Sequence, residues 1–369
     1  MNQDGPAARH EPSNVITPSS FAPRMDPRLV VVTSDPMNAE LPLGEQRGVI
    51  TPNELFYLRN RFHFPQLDPV TWTLAVGREN ETPVELTFDD LLSMPSRTLL
   101  ATMECAGNGR TGIHPPAEGE TWQWGAVSTA EWTGVPLVDV LHAAGIEGGA
   151  REVVAEGADG GEVEERPDRT PFVRSLPLDK ALHPDTLLAY AMNGAALPVE
   201  HGFPLRLVVP GWYGMASVKW LIRLTATTTA FRGYFQVDRY VMPPGEGESE
   251  PRPLTEVGVR SLILRPRPGE VLSPGTHRLQ GVAWSGSGSV ESVEVSVDGG
   301  VNWSSAAWTS PDHRYAWRRW EYLWDTSPGP SVLMSRARDT TGNVQPAESE
   351  WNRLGYANNA IRPIDVIVQ

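Results

Sequence analysis

The stretch "PPGEGESEPRPLT", residues 243–255, constrains this chain more than any other feature. Its proline, glycine and charge can propagate neither a helix nor a strand ladder, so it predicts a linker between two separately packed parts. A chain of 369 residues is long enough to bury two cores. Beyond the linker run short alternating segments, "SLILRP", "HRLQGVAW", "ESVEVSVD", "RYAWRRWEYLW" and "SVLMSRARD", punctuated by Asp298-Gly299, Ser-Pro-Gly and Thr-Gly-Asn turns. Side chains with period two and no long helical pattern predict an immunoglobulin-like β-sandwich over 256–369, without that fold's disulfide.

Before the linker the pattern is mixed. In "GVITPNELFYLRN", Thr51 as N-cap, Pro52 in the first turn and Glu54 as capping-box acid, with Ile50 and Leu55 as a hydrophobic staple, predict a helix ending at Arg59-Asn60-Arg61. "TWTLAVG" and "RTLLATMEC" alternate as strands, while "LTFDDLLSMP" and "VPLVDVLHAAGI" read as short helices, the second closed by Gly145. "LLAYAMNGAALPV" is a hairpin turned on Asn193-Gly194, and "EHGFPLRLVVPGWYGMASVKWLIRLTAT" contains two apolar strands joined by a glycine-rich loop. Helices and strands alternate without βαβ regularity, so residues 46–245 are expected to form a mixed domain and the whole chain an α+β fold. Residues 1–45 are rich in proline, serine and charge, and only "RLVVV" can pair, which predicts an extended N-terminal arm.

The 31 basic and 45 acidic side chains leave a net charge of −14. That balance disfavours broad non-specific nucleic-acid or anionic-membrane binding, so an anionic substrate must be drawn in by local positive charge. No apolar run of transmembrane length, secretory core or twin-arginine pair is visible, which predicts a cytoplasmic protein, although a periplasmic metalloenzyme can also do without disulfides.

Cys105 is the only cysteine. Intrachain disulfides, zinc ribbons and iron–sulfur clusters are therefore excluded. Three readings of it compete: a small buried hydrophobe, a nucleophile partnered by a distant histidine, or a thiolate ligand to a metal whose other ligands come from a cofactor. By the period-two rule it shares a strand face with Leu99, Ala101 and Met103, at the point where an apolar face meets a loop.

Around it, "TPNELFYLRN", "CAGNGR", "LLAYAMNG", "HGFPLRLVVPGWYG" and "VKWL" follow in that order. This series resembles the sulfite oxidase family of molybdenum enzymes, and the resemblance runs from about residue 40 to the C-terminus. It implies a molybdopterin-binding catalytic domain over 46–245, a dimerisation domain over 256–369, and molybdenum held by one molybdopterin and by the thiolate of Cys105. The implied activity is oxidation of sulfite to sulfate by oxygen-atom transfer. The alternatives are nitrate, a sulfoxide or another sulfur compound on the same scaffold, or a non-catalytic dimeric interaction protein. No haem is expected in this chain, and the electron acceptor is oxygen or a separate cytochrome.

The resemblance assigns pterin and phosphate contacts to Tyr57, Leu58, Arg59, Asn60 and Arg61, to Asp159 in "EGADGG", to His201 and Arg206, and to Ser217, Val218 and Lys219. Arginine and lysine complement a phosphate, and aspartate and histidine can bond a pterin edge. Taken singly, such a basic residue is as well read as a solvated surface charge, and Asp159 between glycines as a turn residue. Substrate contacts fall to Arg59 and Arg110 as oxyanion-binding guanidinium groups, Trp122 as pocket wall, Tyr190 as hydrogen-bond donor near the metal, and Arg362 in "WNRLGYANNAIRP" as a third arginine. Trp122 also reads as core packing in a chain with 13 tryptophans, and Tyr190 as a strand aromatic. Two departures from animal members stand out: Arg61 in place of histidine, and Gly109 in place of arginine.

Overall fold

The computed structural model describes residues 25–245 and 247–369; residues 1–24, most of the expected arm, lie outside the described residues. The remainder of the arm is a hairpin, β1 (Val30–Ser34) with β2 (Met37–Glu40). It packs against the chain that follows through a small core of Leu29, Ala39, Leu41, Leu55 and Leu58.

The predicted helix after Thr51 does not form. Only a single 3₁₀ turn, Asn53–Leu55, is present, and Phe56 to Arg61 runs extended, with Leu58 bridged to Ala39. The physical reason is a run of four buried residues, Leu55, Phe56, Tyr57 and Leu58, which a surface helix cannot bury on one stripe. An extended segment buries them alternately on two sides. Thr51 is no cap: its N–H donates to the Thr129 carbonyl at 2.8 Å and its hydroxyl accepts from the Thr129 N–H at 3.4 Å.

Two five-stranded sheets follow. β3 (Thr73–Arg78), β4 (Val84–Thr87), helix α1 (Phe88–Ser93), β5 (Arg97–Glu104), β6 (Val127–Pro136), helix α2 (Leu137–Ala143), β7 (Glu152–Val163), β8 (Arg166–Pro177), β9 (Leu187–Met192), β10 (Ala195–Ala196), β11 (Arg206–Val208) and β12 (Leu221–Thr227) come in that order. One sheet is ordered β10-β9-β6-β5, with β11 also on β9; the other is β4-β3-β12-β7-β8. α1 forms in the segment expected to be a short helix and begins at a capping box, with Thr87 and Asp90 exchanging side-chain and backbone bonds. Asn193 and Gly194 both have positive φ, 52° and 74°, as a two-residue hairpin turn needs. Residues 152–177, to which the sequence reading assigns no element, form the longest strand pair. The expected α+β balance is thereby corrected: the fold is mostly sheet, and α2, the longest helix, has seven residues. No helix among the described residues is long and apolar enough to cross a membrane.

The main core, including Leu74, Val76, Val140, Val153, Leu188, Leu207 and Leu224, lies between the sheets and under α1 and α2. A second cluster, Ala101, Met103, Cys105, Trp132, Ala189 and Phe56 among others, covers the opposite face of the β5–β6–β9 sheet. Residues 260–368 build two further sheets. One holds Arg260–Arg265, Thr276–Trp284, Arg318–Asp325 and Ala307–Trp308; the other holds Val271–Leu272, Ile364–Val368, Gly329–Asp339, Val290–Ser296 and Ser304–Ser305. Their inward residues, Ile263, Leu279, Trp320, Val293, Leu333 and Val366, share one core, as in a sandwich. The stretch expected as a linker is tied down: Val241–Met242 pairs with Arg252–Pro253, and Leu254 and Val257 enter a cluster shared by residues before and after it.

Candidate functional site

Cys105 follows β5 directly, on the face with Ala101 and Met103 that its spacing predicts. Its N–H donates to the Ala126 carbonyl at 2.9 Å and its carbonyl accepts from the Asn108 N–H at 2.9 Å, so both flanks of the thiol are anchored. Beneath it, Glu104 is buried in an ion pair with Arg260, and accepts further bonds from Trp284 Nε1 at 2.8 Å and Asn108 Nδ2 at 2.9 Å. Arg260 and Trp284 belong to the C-terminal sheets, so the sandwich holds the cysteine loop from below. Gly109 follows the cysteine loop in a conformation only glycine takes readily. Its φ is +82°, and a Cβ there would meet Arg260 Nη2 at 2.8 Å and the Trp124 ring at 2.9 Å, so no arginine fits.

The thiol opens on a cleft lined by Tyr57, Arg59, Asn60, Arg61, Asp159, His201, Arg206, Ser217 and Lys219, with Met103, Phe56, Gly214 and Tyr240. Four chain segments meet here: the extended run 56–61, β7, the approach to β11 and the approach to β12. Lys219 Nζ donates to the carbonyls of Arg59 at 3.1 Å and Glu200 at 2.9 Å and to Asn60 Oδ1. Arg206 donates to the carbonyls of His201 at 2.9 Å and Ser217 at 3.2 Å. Two buried polar atoms of the cleft, Asp159 Oδ1 and Arg206 Nε, have no partner among the described residues.

Burial shapes the chemistry of these groups. Desolvation pushes the Cys105 thiol up, partly offset by Arg59, the Gly107 N–H and Arg110. Burial together with Lys219 and Arg206 holds His201 down to about 3, so the imidazole is neutral. Desolvation lowers Lys219 and raises Asp159, each against the pull of the other. In Arg59, desolvation alone would favour the neutral form, but Tyr240, Glu120 and Cys105 outweigh it and hold the charge.

A second cleft continues from the first across Arg59, Arg61 and Tyr240, and adds Arg110, Glu120 and Tyr356. The guanidinium of Arg110 is almost fully buried, donating from Nε to the Leu354 carbonyl at 2.9 Å and from Nη1 to the Glu120 carbonyl at 2.6 Å. Arg59 Nη2 lies 3.1 Å from Glu120 Oε1, and Arg110 Nη1 lies 3.9 Å from Glu120 Oε2.

Five residues named from the sequence fall elsewhere. Tyr190 lies on the opposite face of β9 from Leu187 and Ala189 and packs on the main core, because odd and even residues of a strand point apart. Leu58 faces the hairpin core and Val218 the main core, so neither side chain lines the cleft. Trp122 is fully buried behind the second cleft, with Nε1 unpartnered. Arg362 sits over the Trp124 ring, 5.0 Å from its centroid, in a separate groove beside Glu40.

Two residues escape the sequence reading. Tyr240 lines both clefts, stacks on Tyr356 with ring centroids 5.4 Å apart, and holds a φ of +50°, a conformation that bulky residues avoid unless the surroundings impose it. "VDRYVMPP" carries no local motif that would reveal this. Glu120 likewise reads as an ordinary polar loop residue in "AEGET".

Comparison with known proteins now adds to this geometry. Residues 61–235 match the oxidoreductase molybdopterin binding domain family, and residues 252–369 the Mo-co oxidoreductase dimerisation domain family. The chain is 37% identical to the mitochondrial sulfite oxidase of Homo sapiens over 95% of its own length and 68% of that protein. It is 34% identical to the sulfite oxidase of Arabidopsis thaliana (93% and 95%), and 33% identical to nitrate reductase [NADH] 2 of the same plant (95% and 42%). Among solved structures, the sulfane dehydrogenase SoxCD from Paracoccus pantotrophus superposes with a TM-score of 0.78 at 31% identity, covering 98% of this chain and 92% of that one.

Proposed function

We infer what this chain does from the fact that it belongs to the sulfite oxidase family, and is therefore an oxidoreductase that uses molybdenum held by molybdopterin. The side chains present suit that cofactor. Asp159 Oδ1 and Arg206 Nε lack partners among the described residues, as groups awaiting a polar ligand do. His201 and Ser217 line the same cleft as further polar groups, and Lys219 adds positive charge beside it that suits a phosphate. No cluster of three or more histidine, cysteine or acidic side chains exists among the described residues, so a metal at Cys105 takes its remaining ligands from the cofactor.

Within the family we propose that this chain oxidises sulfite to sulfate. The observation that carries the reading is the pair of guanidinium groups, Arg59 and Arg110, converging on one carboxylate beside the cleft that holds the Cys105 thiol. Two guanidinium groups that bind a carboxylate present the N–H geometry and charge that seat a compact oxyanion, in a protein whose net charge of −14 would otherwise repel it. When bound, the cofactor supplies oxygen-atom transfer and takes up two electrons. The protein's part is positional. Cys105 would hold the metal as a thiolate, and because burial pushes its thiol up, metal binding there would depend on pH. Arg59 and Arg110 hold the oxyanion, and the hydrogen-bonding role that the resemblance assigns to Tyr190 falls to Tyr240, whose side chain lines both clefts.

The C-terminal sandwich is proposed to be immunoglobulin-like and to pair two copies of the chain, a reading supported by its match to the dimerisation family. Oxidation of a sulfane sulfur is a second reading, supported by the likeness to SoxCD. The test is molybdenum content of the purified protein, followed by bleaching of the oxidised absorption on adding sulfite, nitrate being unable to reduce and a sulfane compound serving as rival donor. Equimolar molybdenum with bleaching by sulfite is expected. Bleaching only by the sulfane compound would move the substrate.

A further inference from the structure

Glu120 occupies the place that this reading gives to substrate. The loop between Ile113 and Trp122 has no regular structure, yet its end is held firmly: Arg110 Nη1 donates to the Glu120 carbonyl at 2.6 Å, and the Trp122 N–H donates to the same oxygen at 2.8 Å. The side chain then turns inward, one carboxylate oxygen 3.1 Å from Arg59 and the other 3.9 Å from Arg110, and is only 21% exposed. Its neighbour Glu118 faces outward, bonded to Arg353 at 2.5 Å. Desolvation would raise the pKa of Glu120, but Arg59, its own backbone, Arg110 and Arg61 lower it further, so the group is anionic at neutral pH.

We propose that Glu120 is a tethered competing anion, which neutralises the Arg59–Arg110 seat between turnovers and must be displaced by each oxyanion that binds there. The proposal rests on the reading that this pair seats the substrate. Two buried guanidinium groups repel each other unless an anion lies between them, and a carboxylate on the same chain is always at hand. An incoming oxyanion therefore exchanges one anionic partner for another and gains only the difference. The consequence is weaker retention of sulfate, the product, and a seat closed to ambient monoanions such as chloride. Because the adjacent residues 114–116 and 118–119 are exposed, the displaced carboxylate has solvent to turn into.

Sulfate binding to purified protein, followed by calorimetry at fixed ionic strength, tests this on wild type, Glu120→Gln and Glu118→Gln. Removal of a like charge from the seat is expected to tighten sulfate by roughly 10-fold in Glu120→Gln, with no change in Glu118→Gln. In turnover, KM for sulfite and the inhibition constant for sulfate fall together. Glu120→Asp, which withdraws the carboxylate by one methylene, moves sulfate affinity the same way by less, and serves if the glutamine variant does not fold. Sulfate binding that is unchanged or weaker in Glu120→Gln, while wild type binds it, would overturn the proposal and leave the seat intact. Absence of sulfate binding in every form, with no bleaching by sulfite, would remove the seat itself.

Discussion

At the Arg59 end of the cleft a carboxylate lies 3.1 Å from the guanidinium, whereas at the Lys219 end an aspartate oxygen and an arginine Nε are buried with no partner among the described residues. Both ends are cationic and each has a carboxylate nearby, Glu120 beside Arg59 and Asp159 near Lys219, but only Glu120 bonds a guanidinium directly. An unpaired buried polar atom costs about 1–3 kcal/mol, so on the proposed reading the second end suits a ligand that stays. The first, whose anion can be exchanged, is built for ligands that come and go. On the proposed reading, a resident cofactor and a passing substrate leave different electrostatic signatures in two adjoining clefts.

The largest test of this contrast removes the thiol that lines the first cleft. Cys105→Ser should lower sulfite turnover by about 1000-fold or more, because the metal carries the redox step. Pterin content should stay near wild type if the Lys219 end binds independently; joint loss of pterin and activity would merge the two ends into one. Next in size is the support beneath the thiol. Arg260→Ala strands the carboxylate of Glu104, both being almost fully buried, and should cost about 3–5 kcal/mol in chemical denaturation. A cost below about 1 kcal/mol would mean that the sandwich does not hold the cysteine loop.

A smaller effect separates two tyrosines. Tyr240→Phe should reduce kcat/KM by about 10- to 100-fold through loss of one hydroxyl in the cleft, while Tyr190→Phe, on the far side of its sheet, should change it by less than about 2-fold. The reverse order would restore the assignment made from sequence. The smallest effect is on pH. His201 has an ordinary value of 6.5 but is held to about 3 when folded, so between those values the unfolded chain binds a proton that the folded chain refuses. Stability of the cofactor-free protein then falls as pH falls through that window and is flat above it. His201→Asn should flatten that slope in pH-dependent thermal melts, and an unaltered slope would assign the acid sensitivity to other groups.

How much of this was legible in advance varies residue by residue. Cys105 shares a face with Ala101 and Met103 as its spacing requires, and the Asn193-Gly194 turn and the short helix after Thr87 form where local chemistry places them. The segment after Thr51 misled because a local capping pattern competes with four successive residues that must all be buried, and burial won. Tyr190 misled for a similar reason: a motif places a residue on a strand but does not say which face of the strand meets the cleft.

The sequence by itself determined the period-two strands, the turns, the lone thiol at a strand end and the family to which these belong, because each depends on neighbours a few positions apart or on residues kept in order. Only the tertiary structure decided that Glu120 lies between Arg59 and Arg110, that Tyr240 lines both clefts, and that Arg260 reaches Glu104 across 156 positions of chain. Those contacts join loops distant in sequence, where no periodicity operates and where charge pairing in a buried site, rather than local propensity, selects the partner.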